Sequence, residues 1–267
     1  VVGIYSGYEG LIHDDVKDFT VRDVSNIVNH GGTVLFSARS PLFKTAEGMN
    51  AALETCRRHA IDGIVAIGGD GTFRGATDLT AHGVSCIGLP GTIDNDITAT
   101  DYTIGFDTAM NTAIEMIDRL RDTCESHARC SVVEVMGRDA GDIALQTAIA
   151  TGATGVVVPE LPFDEAALIE KIRASRALGK RNFIVIVAEG LGSTFGEELT
   201  KRIEKETGVE SRFARLAHVI RGGVPSLRDR LLATRMGEFA VDELLAGRSN
   251  EVICDINNEI CAVDIDY

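Results

Sequence analysis

Basic side chains are scarce in this chain. Of its 267 residues, 26 are Lys or Arg and 40 are Asp or Glu, a formal charge of −14 with histidine neutral. A field of that sign repels nucleic-acid backbones and anionic headgroups, so neither a general nucleic-acid binder nor an anionic-membrane binder is expected. Any anionic ligand has to be held by local groups of arginine. No apolar run reaches the roughly 18 residues a membrane span needs, so none is expected. No C-x-x-C pair occurs among Cys56, Cys86, Cys124, Cys130, Cys254 and Cys261, which argues against a zinc or thioredoxin-type site. Scattered thiols of this kind fit a reducing cytoplasm and read as small buried hydrophobes. There is no low-complexity linker and no short repeat. What the chain does have is 45% hydrophobic residues, enough for one large domain or two smaller ones.

Strand-like and helix-like stretches alternate. An apolar run opens the chain. Thr20 is placed to cap a helix through Asn29 that Gly31-Gly32 stops, and Thr45 to cap another through about His59. IDGIVAIGGDGT reads as a β-branched strand running into a glycine turn, followed by a helix from about Phe73 to His82 and a second buried strand, VSCIGLP. Phe106, Met110, Ile114, Ile117 and Leu120 fall at helical spacing. SVVEVMG, TGVVVPE and NFIVIVAEG read as strands, separated by helices in DAGDIALQTAIAT and in the segment capped by Asp164. A helix closed by Gly208, a long helix from Ser226 to Leu245 and two short strands complete the pattern. Such alternation means a largely parallel sheet with helices on both faces, and ligands in such folds sit beyond the carboxyl ends of the strands.

Four strings lie at those ends. GGDGT, residues 68–72, joins a strand to a helix. Its glycines let the backbone approach a ligand, and free N–H groups at a helix start favour a phosphate. Asp70 would repel a bare phosphate but suits one bridged by magnesium; the plain alternative is a tight turn with a capping aspartate. In PGTIDND, Pro90 ends the strand, Gly91 gives room and Thr92 offers a hydroxyl. In an extended segment Asp94 and Asp96 project to one side with Asn95 opposite. One carboxylate can then neighbour a metal while the other accepts a hydroxyl proton; the alternative is an Asx-rich turn. In MGRDAGD, Arg138 at a strand end can reach a transferring phosphoryl group. In AHVIRGGVP, His218 and Arg221 before two glycines can hold a sugar phosphate. Each of the last two is weak alone.

Together, in this order and spacing, the four strings resemble the bacterial-type, ATP-dependent members of the phosphofructokinase family. The linking stretch TDYTIGFDTA…IDRLRDT…SH resembles them too, and the likeness runs from Val2 to about Gly247. The resemblance implies an α/β fold of two Rossmann-like α/β/α three-layer domains with largely parallel sheets. Residues 1–105 plus 220–267 would form an ATP/Mg-binding domain and 106–219 a fructose 6-phosphate-binding domain. It implies a cytoplasmic glycolytic kinase. Asp94 would take the proton of the sugar 1-hydroxyl, Asp70 and Asp96 would support magnesium, Thr92 would line the reaction centre, and Arg138, assisted by Arg39, would stabilise the phosphoryl in flight. Tyr8, Arg39, Ser40, Lys44, Gly69, Asp70, Gly71, Thr72, Arg74 and Gly75 match nucleotide positions, with Lys44 replacing a common Arg. Met136, Gly137, Glu189, His218 and Arg221 match the sugar-phosphate pocket. Arg129 and Arg212 match residues that reach a neighbouring subunit's site, so a homotetramer is expected.

The donor follows from size. Pyrophosphate-using relatives typically carry Asp at the position of Gly71 and Lys at that of Gly91; two glycines leave space for a nucleotide, so ATP is expected. The sequence also departs from the family. The usual N-terminal strand with its glycine-rich phosphate loop is absent, and the chain is expected to be truncated at both ends. His30, Arg121 and Lys180 fit an effector-phosphate site, but Val21, Asn26 and Thr154 replace its usual charged residues. Three alternatives stand beside the kinase: a non-catalytic sugar-phosphate-binding or regulatory chain, a pyrophosphate-dependent phosphofructokinase, and a lipid or NAD kinase, which accounts for GGDGT alone.

Overall fold

The structure, a computed structural model, describes residues 1–265. The elements run β1 (Val2–Ile4), α1 (Tyr8–His13), β2 (Val16–Asp18), α2 (Ala46–Arg58), β3 (Gly63–Gly68), α3 (Asp70–Ala81), β4 (Ser85–Pro90), α4 (Phe106–His127), β5 (Cys130–Val135), α5 (Asp142–Thr151), β6 (Gly155–Val157), α6 (Glu165–Ala177), β7 (Phe183–Ala188), α7 (Phe195–Thr207), β8 (Ser211–Arg215), α8 (Leu227–Leu245), β9 (Glu251–Ile256) and β10 (Glu259–Asp264). They divide into two compact units. One comprises Val1–Thr92, Ile97–Gly105 and Val224–Tyr267; the other comprises Ile93–Asp96 and Phe106–Gly223. Asp94 and Asp96 therefore group with the second unit.

In the first unit, alternation along β4 builds two cores at once. Ile87 and Leu89 point to α8, meeting Leu232, Met236 and Ala240, with Ile253 of β9. Cys86 faces the other way, toward Leu79 of α3 and Ala52 and Cys56 of α2. Gly88 shares that second face because a Cβ there would lie 2.8 Å from the Phe73 ring. The sheet order is β10-β9-β4-β3. β3, β4 and β9 are parallel, and β10 returns antiparallel. β3 ends the sheet, leaving Ile67 60% exposed. β1 and β2 form a separate antiparallel pair.

The second unit has an all-parallel sheet, β6-β7-β5-β8. Every residue of β5 and β7 is buried, as expected for central parallel strands covered on both sides. Phe183, Val185 and Val187 pack with α6 and α7 through Leu168, Ile172, Leu199 and Ile203. α4 and α5 lie against β5 and β7. Thr45, Asp164 and Ser226 each accept a backbone N–H at a helix start, worth about 1 kcal/mol apiece.

The structure corrects several expectations. No helix forms at 20–29. Asp23 instead accepts from the Thr20 N–H and hydroxyl and pairs with Lys17 at 2.6 Å, while Val21, Val24 and Val28 stay exposed, so no buried face supports a helix there. The opening apolar run is a short strand followed by α1. α3 begins at Asp70, three residues earlier than expected, which puts the DGT of GGDGT in its first turn. β2 and β8 were not foreseen. Among the described residues no helix is long and apolar enough to cross a membrane. All six cysteines are free thiols, and only Cys261 is not fully buried.

Candidate active site

The second unit gathers its chemistry at the carboxyl ends of β5, β7 and β8. β5 delivers Met136, buried, and then a turn in which Gly137 has φ 142° and Arg138 φ 54°. A side chain at residue 137 would lie 2.6 Å from the Ala140 carbonyl oxygen, so the turn requires glycine. Its amides are claimed by the neighbouring strand end. Glu189, directly after β7, accepts from the Gly137 N–H at 3.2 Å and the Arg138 N–H at 2.8 Å.

That turn aims the Arg138 guanidinium at both aspartates: Nη2 lies 3.5 Å from Asp94 Oδ2 and Nη1 lies 3.0 Å from Asp96 Oδ2. The carboxylates meet one cation without an extended segment. Asn95 between them has φ 53°, a left-handed conformation Asn tolerates better than most residues, and its side chain bonds Asp142 at the start of α5. This bend replaces the expected strand-like projection.

Asp94 is buried. Burial is the main reason its carboxyl is pushed above the usual range. Asp96 beside it adds to the effect, with a smaller push from Glu189, while Arg138 and Arg221 oppose it. A carboxylate that binds protons more tightly than usual, in a site lined with cations, suits general-base work. In Asp96→Asn the like charge is gone, so the Asp94 pKa falls; in Arg138→Leu the compensating charge is gone, so it rises. Carboxyl-carbon NMR titration of the two variants checks both signs.

Arg221 closes a 3-10 turn, Ala217–Arg221, that follows β8 and carries the exposed His218. The turn is tied to α4 by Thr112 Oγ1, which donates to the Gly222 carbonyl at 3.1 Å. Arg129 and Arg212 sit at the opposite, amino ends of β5 and β8. Both are held by Glu210, Arg129 through Nε at 2.9 Å. Strands of five and six residues, rising about 3.3 Å per residue, therefore lie between this pair and Arg138. Asp94, Asp96, Arg138, Glu189 and Arg221 come together; Arg129 and Arg212 do not join them within the chain.

In the first unit, the carboxyl ends of β3 and β4 bring GGDGT and PGT side by side. The Gly91 N–H bonds the Gly68 carbonyl at 2.9 Å, and Thr92 lies against Gly69. The start of α3 has no side-chain cap, and a Cβ at Gly71 would meet open space. Gly68, Gly75 and Gly91 serve packing. A Cβ at Gly68 would strike Thr72, one at Gly75 the Tyr8 ring, and one at Gly91 Ile67 at 2.9 Å. Tyr8 stacks on Phe43 at 4.1 Å and its hydroxyl donates to the Thr72 carbonyl at 2.5 Å; burial holds its phenol well above the ordinary range. Ser40 accepts from the Phe43 N–H. Arg39, Lys44, Asp70 and Arg74 are exposed. Of the effector candidates, His30 is exposed, Lys180 lies over Phe183, and Arg121 donates to the Thr151 carbonyl that ends α5.

A model of the phosphofructokinase family matches residues 1–244. The ATP-dependent 6-phosphofructokinase of Brevibacillus brevis is 50% identical over 99% of this chain, which spans 82% of that protein; the Bacillus subtilis protein of the same name is 48% identical over the same shares. The chain belongs to the phosphofructokinase family. As a structure, this phosphofructokinase superposes on that of Saccharomyces cerevisiae with a TM-score of 0.92 and 34% identity, covering all of this chain and 40% of the yeast chain. The pyrophosphate-dependent phosphofructokinase of Marinobacter aquaeolei shares the fold at a TM-score of 0.81 and 23% identity.

Three supports of this candidate site carry no clear signal in the sequence: Asn95, Asp142 and Glu160, whose carboxylate accepts from the Gly141 N–H at 2.7 Å. The signal for Asn95 was its residue type. An asparagine between two loop aspartates marks a left-handed bend as readily as it marks an extended strand.

Proposed function

We propose that this phosphofructokinase transfers the γ-phosphoryl group of ATP to the 1-hydroxyl of fructose 6-phosphate, giving fructose 1,6-bisphosphate and ADP. The observation that carries this is the convergence of the buried Asp94, with Asp96 and Glu189, on the Arg138–Arg221 side of the second unit. The Asp94 carboxylate takes the hydroxyl proton as the oxygen attacks phosphorus. The bond from phosphorus to the bridging oxygen breaks, and ADP leaves with that electron pair. Arg138, already facing carboxylates, meets the charge that builds on the phosphoryl oxygens. His218 and Arg221 grip the 6-phosphate, with Met136, Gly137 and Glu189 shaping the sugar pocket. Catalysis on this reading is positioning and charge neutralisation.

The first unit binds the nucleotide. The uncapped start of α3 presents backbone N–H groups to phosphate, and the open space at Gly71 favours ATP over pyrophosphate. Magnesium would neutralise phosphate charge there. It keeps several waters and needs few protein carboxylates, and the exposed Asp70 could serve it. Asp96, here paired with Arg138, would be a further support for the metal. Tyr8, Arg39, Ser40, Lys44, Thr72, Arg74 and Gly75 complete this half, and Thr92 lines the reacting end. Arg129 and Arg212 serve the site of an adjacent copy, so the working unit is a cytoplasmic homotetramer.

Coupled assays with ATP and with pyrophosphate test the donor; turnover with pyrophosphate alone would reverse that assignment. Arg221→Ala raises the fructose 6-phosphate requirement about ten- to a hundredfold, the worth of a charge-assisted contact, with turnover little changed. An unmoved half-saturation removes Arg221 from the pocket. Calorimetry that finds sugar binding in a chain with no phosphoryl transfer supports the regulatory alternative.

A further inference from the structure

Glu134 is a buried carboxylate in the middle of a parallel sheet, and the reaction does not use it. It lies on β5 two residues before Met136. Both ends of the residue hold consecutive residues of β8 and its exit. Its Oε1 accepts from Arg215 Nε at 2.6 Å, and its backbone carbonyl accepts from the Leu216 N–H at 3.0 Å. The Arg215 guanidinium also donates to the Ser193 carbonyl at 2.7 Å, which lies in the loop after the Glu189–Leu191 turn. One side chain thus fastens three strand exits: those of β5, β7 and β8.

The next residue is Ala217, at φ 45°. A left-handed alanine is strained and persists only where its surroundings over-determine it. That strained step opens the turn that carries His218 and Arg221.

We infer that the Glu134–Arg215 pair is a positioning device that holds Ala217 in its left-handed conformation and so aims His218 and Arg221 at the sugar phosphate. This rests on the reading of His218 and Arg221 as the phosphate grip. Arg215 is a positioning residue and touches no substrate. Arg215, with a guanidinium fork, reaches a carboxylate and a carbonyl together.

The test uses the full chain. Because Arg215→Gln alone leaves Glu134 buried without its cation, the double variant Glu134→Gln/Arg215→Gln, a neutral amide pair, is measured as well. Either variant raises the KM for fructose 6-phosphate about tenfold, in the range that a small misplacement of a binding group costs, while the KM for ATP stays within about twofold. Ala217→Gly leaves the parent enzyme nearly unchanged. Added to the double variant, it recovers part of the sugar KM, since glycine takes a positive φ without strain. Equal losses for both substrates, or an unmoved sugar KM in a folded variant beside a raised one in Arg221→Ala, overturn the positioning role. An unmoved sugar KM in Arg221→Ala as well overturns the grip on which it rests. Arg215→Lys falls between parent and double variant, because one ammonium cannot replace both contacts; a value equal to the double variant's overturns the Glu134–Arg215 pair as the device.

Discussion

Asp94→Ser lowers the turnover of this phosphofructokinase by up to about four orders of magnitude, and its affinity for fructose 6-phosphate stays within about threefold. The hydroxyl of the sugar is a poor nucleophile until its proton leaves, and Asp94 is the buried carboxylate assigned to take it. On the proposed assignment, Ser and Ala at residue 94 both lack the base, so both lose the step. Unfolding does not explain the loss. Burial, and then Asp96, raise the folded-state pKa of Asp94 above its ordinary value. A carboxyl with a raised folded pKa binds more protons folded than unfolded. It therefore withdraws stability as pH rises from the ordinary carboxylate pKa through the raised one, and above the raised pKa the fold bears that cost in full. Removing the group relieves it, so thermal melting of Asp94→Ser at neutral pH is unchanged or moves upward. A large fall in Tm would show Asp94 to be a structural residue.

The second large effect is at Arg138. Arg138→Leu lowers turnover by about two to three orders of magnitude, the range for one preorganised donor to developing transition-state charge. It also leaves two carboxylates facing each other without their shared cation. Asp94 then holds its proton to higher pH, so the acid limb of the pH–rate profile moves up, and part of the lost rate returns as pH is raised. Arg138→Lys restores only a fraction, because one ammonium cannot span two carboxylates as a planar fork does. A rate loss with no shift of the acid limb would separate Arg138 from the ionisation of Asp94.

Much of this was readable before any coordinates. Continuous apolar runs, VSCIGL, SVVEV and FIVIVA, became strands because a covered parallel sheet asks for unbroken burial; IVAI became a strand at the sheet edge, where Ile67 is exposed, and each chemical string fell at a carboxyl end. Thr45, Asp164 and Ser226 capped where expected, since a side-chain oxygen before a periodic apolar face is a local signal. The failures were non-local. The segment 20–29 carries a good cap residue, yet Asp23 claims Thr20 and nothing buries Val21, Val24 or Val28. β8, SRFAR, is an edge strand with two arginines and no continuous apolar run to announce it. α3 starts earlier than its glycines suggest, since Gly68 and Gly69 precede it and Gly71 lies in its first turn. The pairing of Asp94 and Asp96 with Arg138 spans some 42 residues of sequence, and no spacing rule announces it. Their convergence depends on the left-handed Asn95, which a reading of strand alternation does not supply.

The base assignment is tested most directly by single-turnover phosphoryl transfer as a function of pH, with saturating fructose 6-phosphate and magnesium ATP, in the parent enzyme and in Asp94→Ser. The parent should show an acid limb with its midpoint above the ordinary carboxylate range, and the variant should transfer slowly with no limb there. The same limb at the same midpoint in the variant, at a near-parental rate, would contradict a proton-accepting Asp94.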